Sequence, residues 1–236
     1  MKTLQKLGAL AAFYLAAAYL IGMGIFIAVL DLPSITDPAQ KVALLVKMPM
    51  VIFATNLLLY VFFGVVLISL ALALHDRLKS DAPALMQVAT ALGVIWAGAL
   101  IASGMVANAG IAPVLALYAT DPAQAALTWQ SIEIVASGLG NGNGEILGGL
   151  WTLLVSVAAL RGGGLPKWLN ILGVVVGVVG IASLIPGLTT LLTGVFGLSQ
   201  LLWYAGLGIV LLRGDSGAAI RVQRLASESS FGNSPF

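Results

Sequence analysis

Glu145 ends the stretch Ser-Gly-Leu-Gly-Asn-Gly-Asn-Gly-Glu, which starts at Ser137 and sets one carboxylate and two asparagines among glycines in an otherwise apolar region. A carboxyl group inside an apolar span is costly to hold. It turns toward protein partners, ions or water, and it is a functional candidate by default. On one continuous helix over 129–160, turning about 100° per residue, Gln130, Glu133, Ser137, Asn141, Glu145, Gly148, Thr152 and Ser156 share an arc of roughly 140°. Ile146, Leu150 and Leu154 fall well outside that arc. The stripe predicts a face turned to a bundle interior or a water-filled cavity, where its polar groups find partners.

Most other reactive chemistry is missing. His75 is the single histidine and there is no cysteine, so paired haem imidazoles, histidine-rich metal sites, disulfides and thiolate catalysis are not expected. Glu133 and Glu145 would stand about 18 Å apart along one helix, too far for a catalytic carboxylate pair. Asp31, Asp37 and Asp121 could gather near Glu133 as a weak cation site, but helix capping explains Asp37 and Asp121 better. No catalytic residue, metal or cofactor is expected, and an enzyme is the least favoured class.

The elements that must hold Glu145 follow from composition. The chain has 236 residues, 60% hydrophobic and 8% charged, against about 25% charged residues in soluble domains. Lipid must therefore solvate most of its surface. A formal charge of +2, with basic residues at run ends rather than in a patch, does not suggest nucleic acid. Uncharged or nearly uncharged runs lie at about 7–30, 49–74, 85–111, 144–160, 169–188 and 192–212. Their length and lack of period-two alternation predict six transmembrane helices, the first an uncleaved span. Lys2, Lys6, Arg77, Lys79, Arg161, Lys167, Arg213, Arg221 and Arg224 would fall on the side of the termini, and only Lys41 and Lys47 on the other. Positive charge stays cytoplasmic, so both termini are expected inside. The sequence thus predicts an all-α polytopic membrane protein: a six-helix domain over 1–213 and a Ser- and Gly-rich cytoplasmic tail over 214–236 that has no packing pattern and is expected to be disordered.

With that threading, Glu145 lies roughly 24 Å above Arg161, in the outer third of a core about 30 Å thick. Asn56 is about 10 Å inside the outer start of its run. Asn108 falls near the outer end of the third run, and Gln200 in the outer half of the sixth. The expectation is an outward-facing ligand pocket made by Glu145, Asn141, Asn56, Asn108 and Gln200. Its rival is plain interhelical hydrogen bonding, worth about 0.6 kcal/mol per bond. Gln200 with Tyr204, and Asn56 with Tyr60, stand at i, i+4 and could bond each other.

Glycines add a second choice. Gly140, Gly144 and Gly148, and Gly173 with Gly177, recur at four-residue spacing, which lets helices approach closely. Close packing is the simpler reading. The sharper one is that Gly-Leu-Gly-Asn-Gly-Asn-Gly breaks the fourth helix and bares backbone groups, as in discontinuous transporter helices. "TDPAQ" occurs at 36–40 and 120–124, an N-cap followed by a proline at the first helical position; capping explains it without duplication.

Two stretches carry a resemblance: 149–180, with a short Arg-Gly turn and Leu-Pro-Lys-Trp-Leu opening the next span, and 196–213, "FGLSQLLWYAGLGIVLLR". Together they resemble an uncharacterised family of bacterial six-span integral membrane proteins. The resemblance implies a six-helix bundle in the bacterial inner membrane and brings no catalytic residues. Two functions compete. One is binding or transport of a small solute or lipid-like ligand through the outer polar pocket. The other is a non-catalytic accessory or scaffold subunit whose glycine ridges pack against membrane partners or a second copy.

Overall fold

The computed structural model describes residues 2–31, 34–35, 37–140 and 145–231, with side chains from 3 to 213 within those ranges. Every regular element among them is helical. Helix α1 (Lys2–Gly24) runs on into a wider π-helical turn (Ile25–Val29). A short helix α2 (Pro38–Lys47) precedes α3 (Pro49–Asn56), which passes through a second π-helical segment (Leu57–Phe62) into α4 (Phe63–Leu78). Then follow α5 (Pro83–Tyr118), α6 (Pro122–Gly140), α7 (Ile146–Gly162), α8 (Lys167–Ala182) and α9, whose backbone continues from Thr189 to Phe231. The tail expected from Gly214 onward lies beyond the described side chains.

Four stretches are long and apolar enough to cross a membrane: Thr3–Val29, Pro49–Leu78, Pro83–Tyr118 and Thr189–Arg213. Helices α7 and α8 are shorter and apolar. The six apolar runs thus divide into four long helices and two short ones. This is a multi-pass helical membrane protein, and side chains such as Leu10, Leu20, Val65, Ile95, Val175 and Leu202 present an exposed apolar surface suited to lipid.

Helices α1, α4, α5, α7, α8 and α9 form a closed ring in that order, α9 returning to α1. Small residues set its tightness. A Cβ at Gly149 would stand 2.9 Å from the Gly177 carbonyl oxygen, and one at Gly180 2.8 Å from Gly149 Cα, so α7 and α8 meet backbone to backbone. Gly64 of α4 faces the Ala97 carbonyl of α5, and Gly208 of α9 faces Phe13 of α1. Aromatic side chains fill the middle of the ring. Tyr19, Phe63, Trp96, Trp151, Trp203 and Tyr204 form a connected cluster with neighbouring ring centroids 5.6–6.4 Å apart.

Helices α6 and α7 do not form the single helix expected over 129–160. Glu145 has φ −93° and ψ 47°, outside helical values, and α7 begins at the next residue. Both helices nevertheless follow α5 in one antiparallel line. Ile132 meets Gly110, the Ser103 hydroxyl donates to the Ala136 carbonyl at 2.8 Å, Gly148 meets Trp96, and Trp151 meets Gly93. The chain therefore keeps its direction across the interruption. Asn141 and Gly144 lie outside the described residues.

The segment between the first two long helices contains α2. Asp37 caps it, accepting from the Ala39 N–H at 3.1 Å, with Pro38 at its first position. Val42 and Leu45 are buried against Ile111, Val114, Ala125, Ala126 and Trp129. In the second copy of the motif, Asp121 accepts from the Gln124 N–H at 3.0 Å. Capping thus accounts for Asp37 and Asp121; Thr36 lies outside the described residues.

Candidate functional site

Above the aromatic cluster, on the α2 side, the bundle holds a cavity of about 650 Å³. Its walls come from α1, α2, α3, α4, α5, α6 and α9 and from both π-helical segments, which contribute Phe26, Leu59 and Tyr60. π-helical turns recur at functional sites because the wider turn re-aims side chains and frees carbonyls. The Leu58 carbonyl accepts from the Tyr14 hydroxyl at 2.8 Å, which ties the segment to α1. The volume is in the range of small-molecule sites, about 300–1,000 Å³.

Glu145 lines this cavity and is half-buried. Its position follows from backbone chemistry. The Glu145 N–H donates to Ser183 Oγ at 2.8 Å, and the Ser183 hydroxyl donates to the Gly180 carbonyl at 2.6 Å. The interruption is thereby pinned to the end of α8, and the Glu145 carbonyl starts α7 by accepting from the Gly149 N–H at 2.8 Å. Among the described residues no basic side chain pairs with the Glu145 carboxylate. It lies within electrostatic reach of Tyr19 and Tyr204.

The five residues expected to converge are divided by the structure. Asn56 lines the cavity with Glu145. Asn108 supports Asn56 from α5: its Oδ1 accepts from Asn56 Nδ2 at 2.9 Å, while its own Nδ2 donates to the Phe53 carbonyl at 3.2 Å. Gln200 is not part of the cavity wall. It is fully buried deeper in the ring, where its Oε1 accepts from Thr152 Oγ1 at 3.1 Å. Tyr204, one turn on, interacts with the Gln200 side chain without a well-formed hydrogen bond. Counting residues places Gln200 along its helix, but it does not say how far the side chain is from the ring axis. Asn141 lies outside the described residues.

The polar stripe holds in its broad sense despite the interruption. Glu133, Ser137 and Glu145 line the cavity, and Thr152 and Ser156 are fully buried in the ring below it. Gln130 is exposed. Glu133 is paired with Lys41 of α2 at 3.0 Å, both about one-third exposed, and both line the cavity. No cluster of metal-ligating side chains occurs among the described residues. His75 bonds Thr90 Oγ1 at 2.9 Å beside the α4–α5 turn, a structural contact far from the cavity.

Sequence reasoning missed the aromatic lining. Tyr19, Phe26, Tyr60, Phe63, Trp96 and Trp129 all face the cavity. Trp129 is buried under α2. The residues come from separate helices, so no local spacing joins them. The glycine ridges, which the scaffold reading assigns to partners, pack within the chain: Gly140 meets Ser103, Gly148 meets Trp96 and Phe196, Gly173 meets Trp203, and Gly177 meets Leu153.

No family model matches the chain, and no curated protein or solved structure is significantly similar to it.

Proposed function

We propose that this chain is a six-span bundle of a bacterial inner membrane, with both termini cytoplasmic, that binds or carries a small solute or lipid-like ligand in the cavity at Glu145. The observation that supports this most is the cavity itself, which puts the Glu145 carboxyl group and the Asn56 amide on the wall of a site about 650 Å³ in volume. Two features bear on the crossing count. Helices α7 and α8 complete the ring between α5 and α9. With 17 and 16 residues they rise about 24–26 Å, most of a core about 30 Å thick. The scaffold alternative loses its main support, because the glycines it relied on already face neighbours in the same chain.

Two experiments test the proposal. The chain lacks cysteine, so Ser80→Cys and Asp121→Cys can be probed in intact cells with a membrane-impermeant maleimide. Asp121→Cys is expected to label and Ser80→Cys to stay silent until the cells are opened; the opposite pattern refutes the orientation. Native mass spectrometry from mild detergent tests the site. The wild type is expected to retain a small molecule or lipid, and Ala107→Trp, which places an indole in the cavity, is expected to lose it. A bare wild type, or the same adduct on both proteins, rejects the ligand site.

A further inference from the structure

We infer that the cavity takes an organic monocation, an ammonium group carried on an apolar body, with its charge at Glu145 and its body against the rings of α1, α4 and α5. The inference rests on the ligand-binding reading above and adds the chemical class. Charge is the first argument. Three side chains that can carry a charge line the cavity: Lys41, Glu133 and Glu145. Lys41 and Glu133 neutralise each other at 3.0 Å. Glu145 is left as the one unpaired charge among the described lining residues. An anion would meet the Glu145 carboxyl group, with Lys41 already held by Glu133. A cation is the ligand class that stabilises the ionised form of Glu145, whereas a neutral ligand gives that form no partner.

The wall material narrows the class. An inorganic cation needs several converging oxygen ligands, and the described residues hold no group of three or more Asp, Glu, His or Cys side chains that could supply them. What the cavity offers instead is aromatic faces. Tyr19 and Phe63 meet at 5.7 Å, and Phe63 and Trp96 at 6.3 Å, so they form a continuous aromatic floor. Tyr60 and Trp129 stand on the walls above it. Ring faces attract a weakly hydrated cation, and a quaternary ammonium held between aromatic rings is the best-attested case. Tyr19 is also the ring within electrostatic reach of Glu145. The carboxylate and the aromatic floor therefore act on the same volume.

Benzyltrimethylammonium, its uncharged carbon isostere neopentylbenzene and the anion benzenesulfonate are titrated calorimetrically into the purified full-length protein in a nonionic detergent. The wild type is expected to bind the cation about tenfold or more tighter than the isostere, and the anion not at all. Glu145→Gln should abolish that preference while far-UV circular dichroism stays unchanged. Tyr60→Phe should keep it and Tyr60→Leu reduce it severalfold, an independent check should the Gln variant fail to fold. Equal binding of cation and isostere by the wild type, or an undiminished preference in Glu145→Gln, overturns the cation assignment and leaves the ligand site standing. Binding of none of the three probes, together with a bare protein in native mass spectrometry, removes the ligand site as well. Competition separates two sources of the ammonium group. Displacement of the probe by phosphatidylcholine but not by phosphatidylglycerol assigns it to a lipid headgroup. Displacement by neither assigns it to a free solute, and displacement by phosphatidylglycerol alone overturns the charge argument.

Discussion

Replacing Gly149 by alanine tests whether the glycines of α7 and α8 hold the ring together. An added Cβ would lie 2.9 Å from the Gly177 carbonyl oxygen, 2.9 Å from the Ile181 nitrogen and 3.0 Å from the Gly180 carbonyl carbon. All three are backbone atoms, so no side chain can rotate away. Ordinary contact begins near 3.4 Å, so α8 must recede by about half an ångström. A gap of that size forfeits about a quarter of each van der Waals well along the crossing. Overpacking a tight core in this way costs about 1–3 kcal/mol. The matched control is Gly98→Ala on α5, where a Cβ would meet nothing within 4 Å. Both variants gain the same helix propensity, up to about 1 kcal/mol, so their difference isolates packing. At about 2–4 °C per kcal/mol for a chain of this size, Gly149→Ala should melt several degrees below Gly98→Ala in thermal unfolding followed by circular dichroism. Equal melting temperatures would refute the claim that α7 and α8 meet through their backbones. A loss of oligomer with no change in melting would instead revive a partner role for this face.

Two further outcomes follow from contacts around the cavity. A double-mutant cycle on Lys41 and Glu133 should give a coupling of about 0.2–1 kcal/mol that shrinks with added salt, because both side chains are about one-third exposed; a coupling above about 3 kcal/mol would mean the pair is far drier than described. Asn108→Ala removes both the support for Asn56 and the bond to the Phe53 carbonyl. It should cost about 1 kcal/mol at two membrane-type hydrogen bonds and weaken probe binding without shifting α5, measurable by melting and calorimetry on the same sample.

The sequence carried the parts of this fold that depend on local chemistry. Helical class, the apolar runs and the caps at Asp37 and Asp121 follow from composition and from side chains that bond their own backbone. The inward turn of Glu145 was legible because a carboxylate in an apolar run has few places to go. The interruption before α7 was only one of two readings, since glycine serves tight packing and helix breaking equally well. Gln200 shows where counting fails: rise along a helix gives depth, while the angle around the bundle axis depends on how five other helices pack. The aromatic floor lay further from reach. Tyr19, Phe63 and Trp96 sit on three helices and meet only after the ring closes. The π-helical segments were equally invisible, because their residues, Ile-Phe-Ile-Ala-Val and Leu-Leu-Leu-Tyr-Val-Phe, differ in no obvious way from ordinary apolar helix.

Three indoles of the aromatic cluster form a chain, Trp96 to Trp151 at 5.8 Å and Trp151 to Trp203 at 5.6 Å. Chromophores this close share their excited states. The folded protein should therefore show an exciton couplet in the ultraviolet and pass absorbed energy from one indole to the next. Trp96 is the end of that chain that lines the cavity. A molecule resting on it would perturb the shared excitation, which gives the protein an optical reporter of occupancy that requires no label.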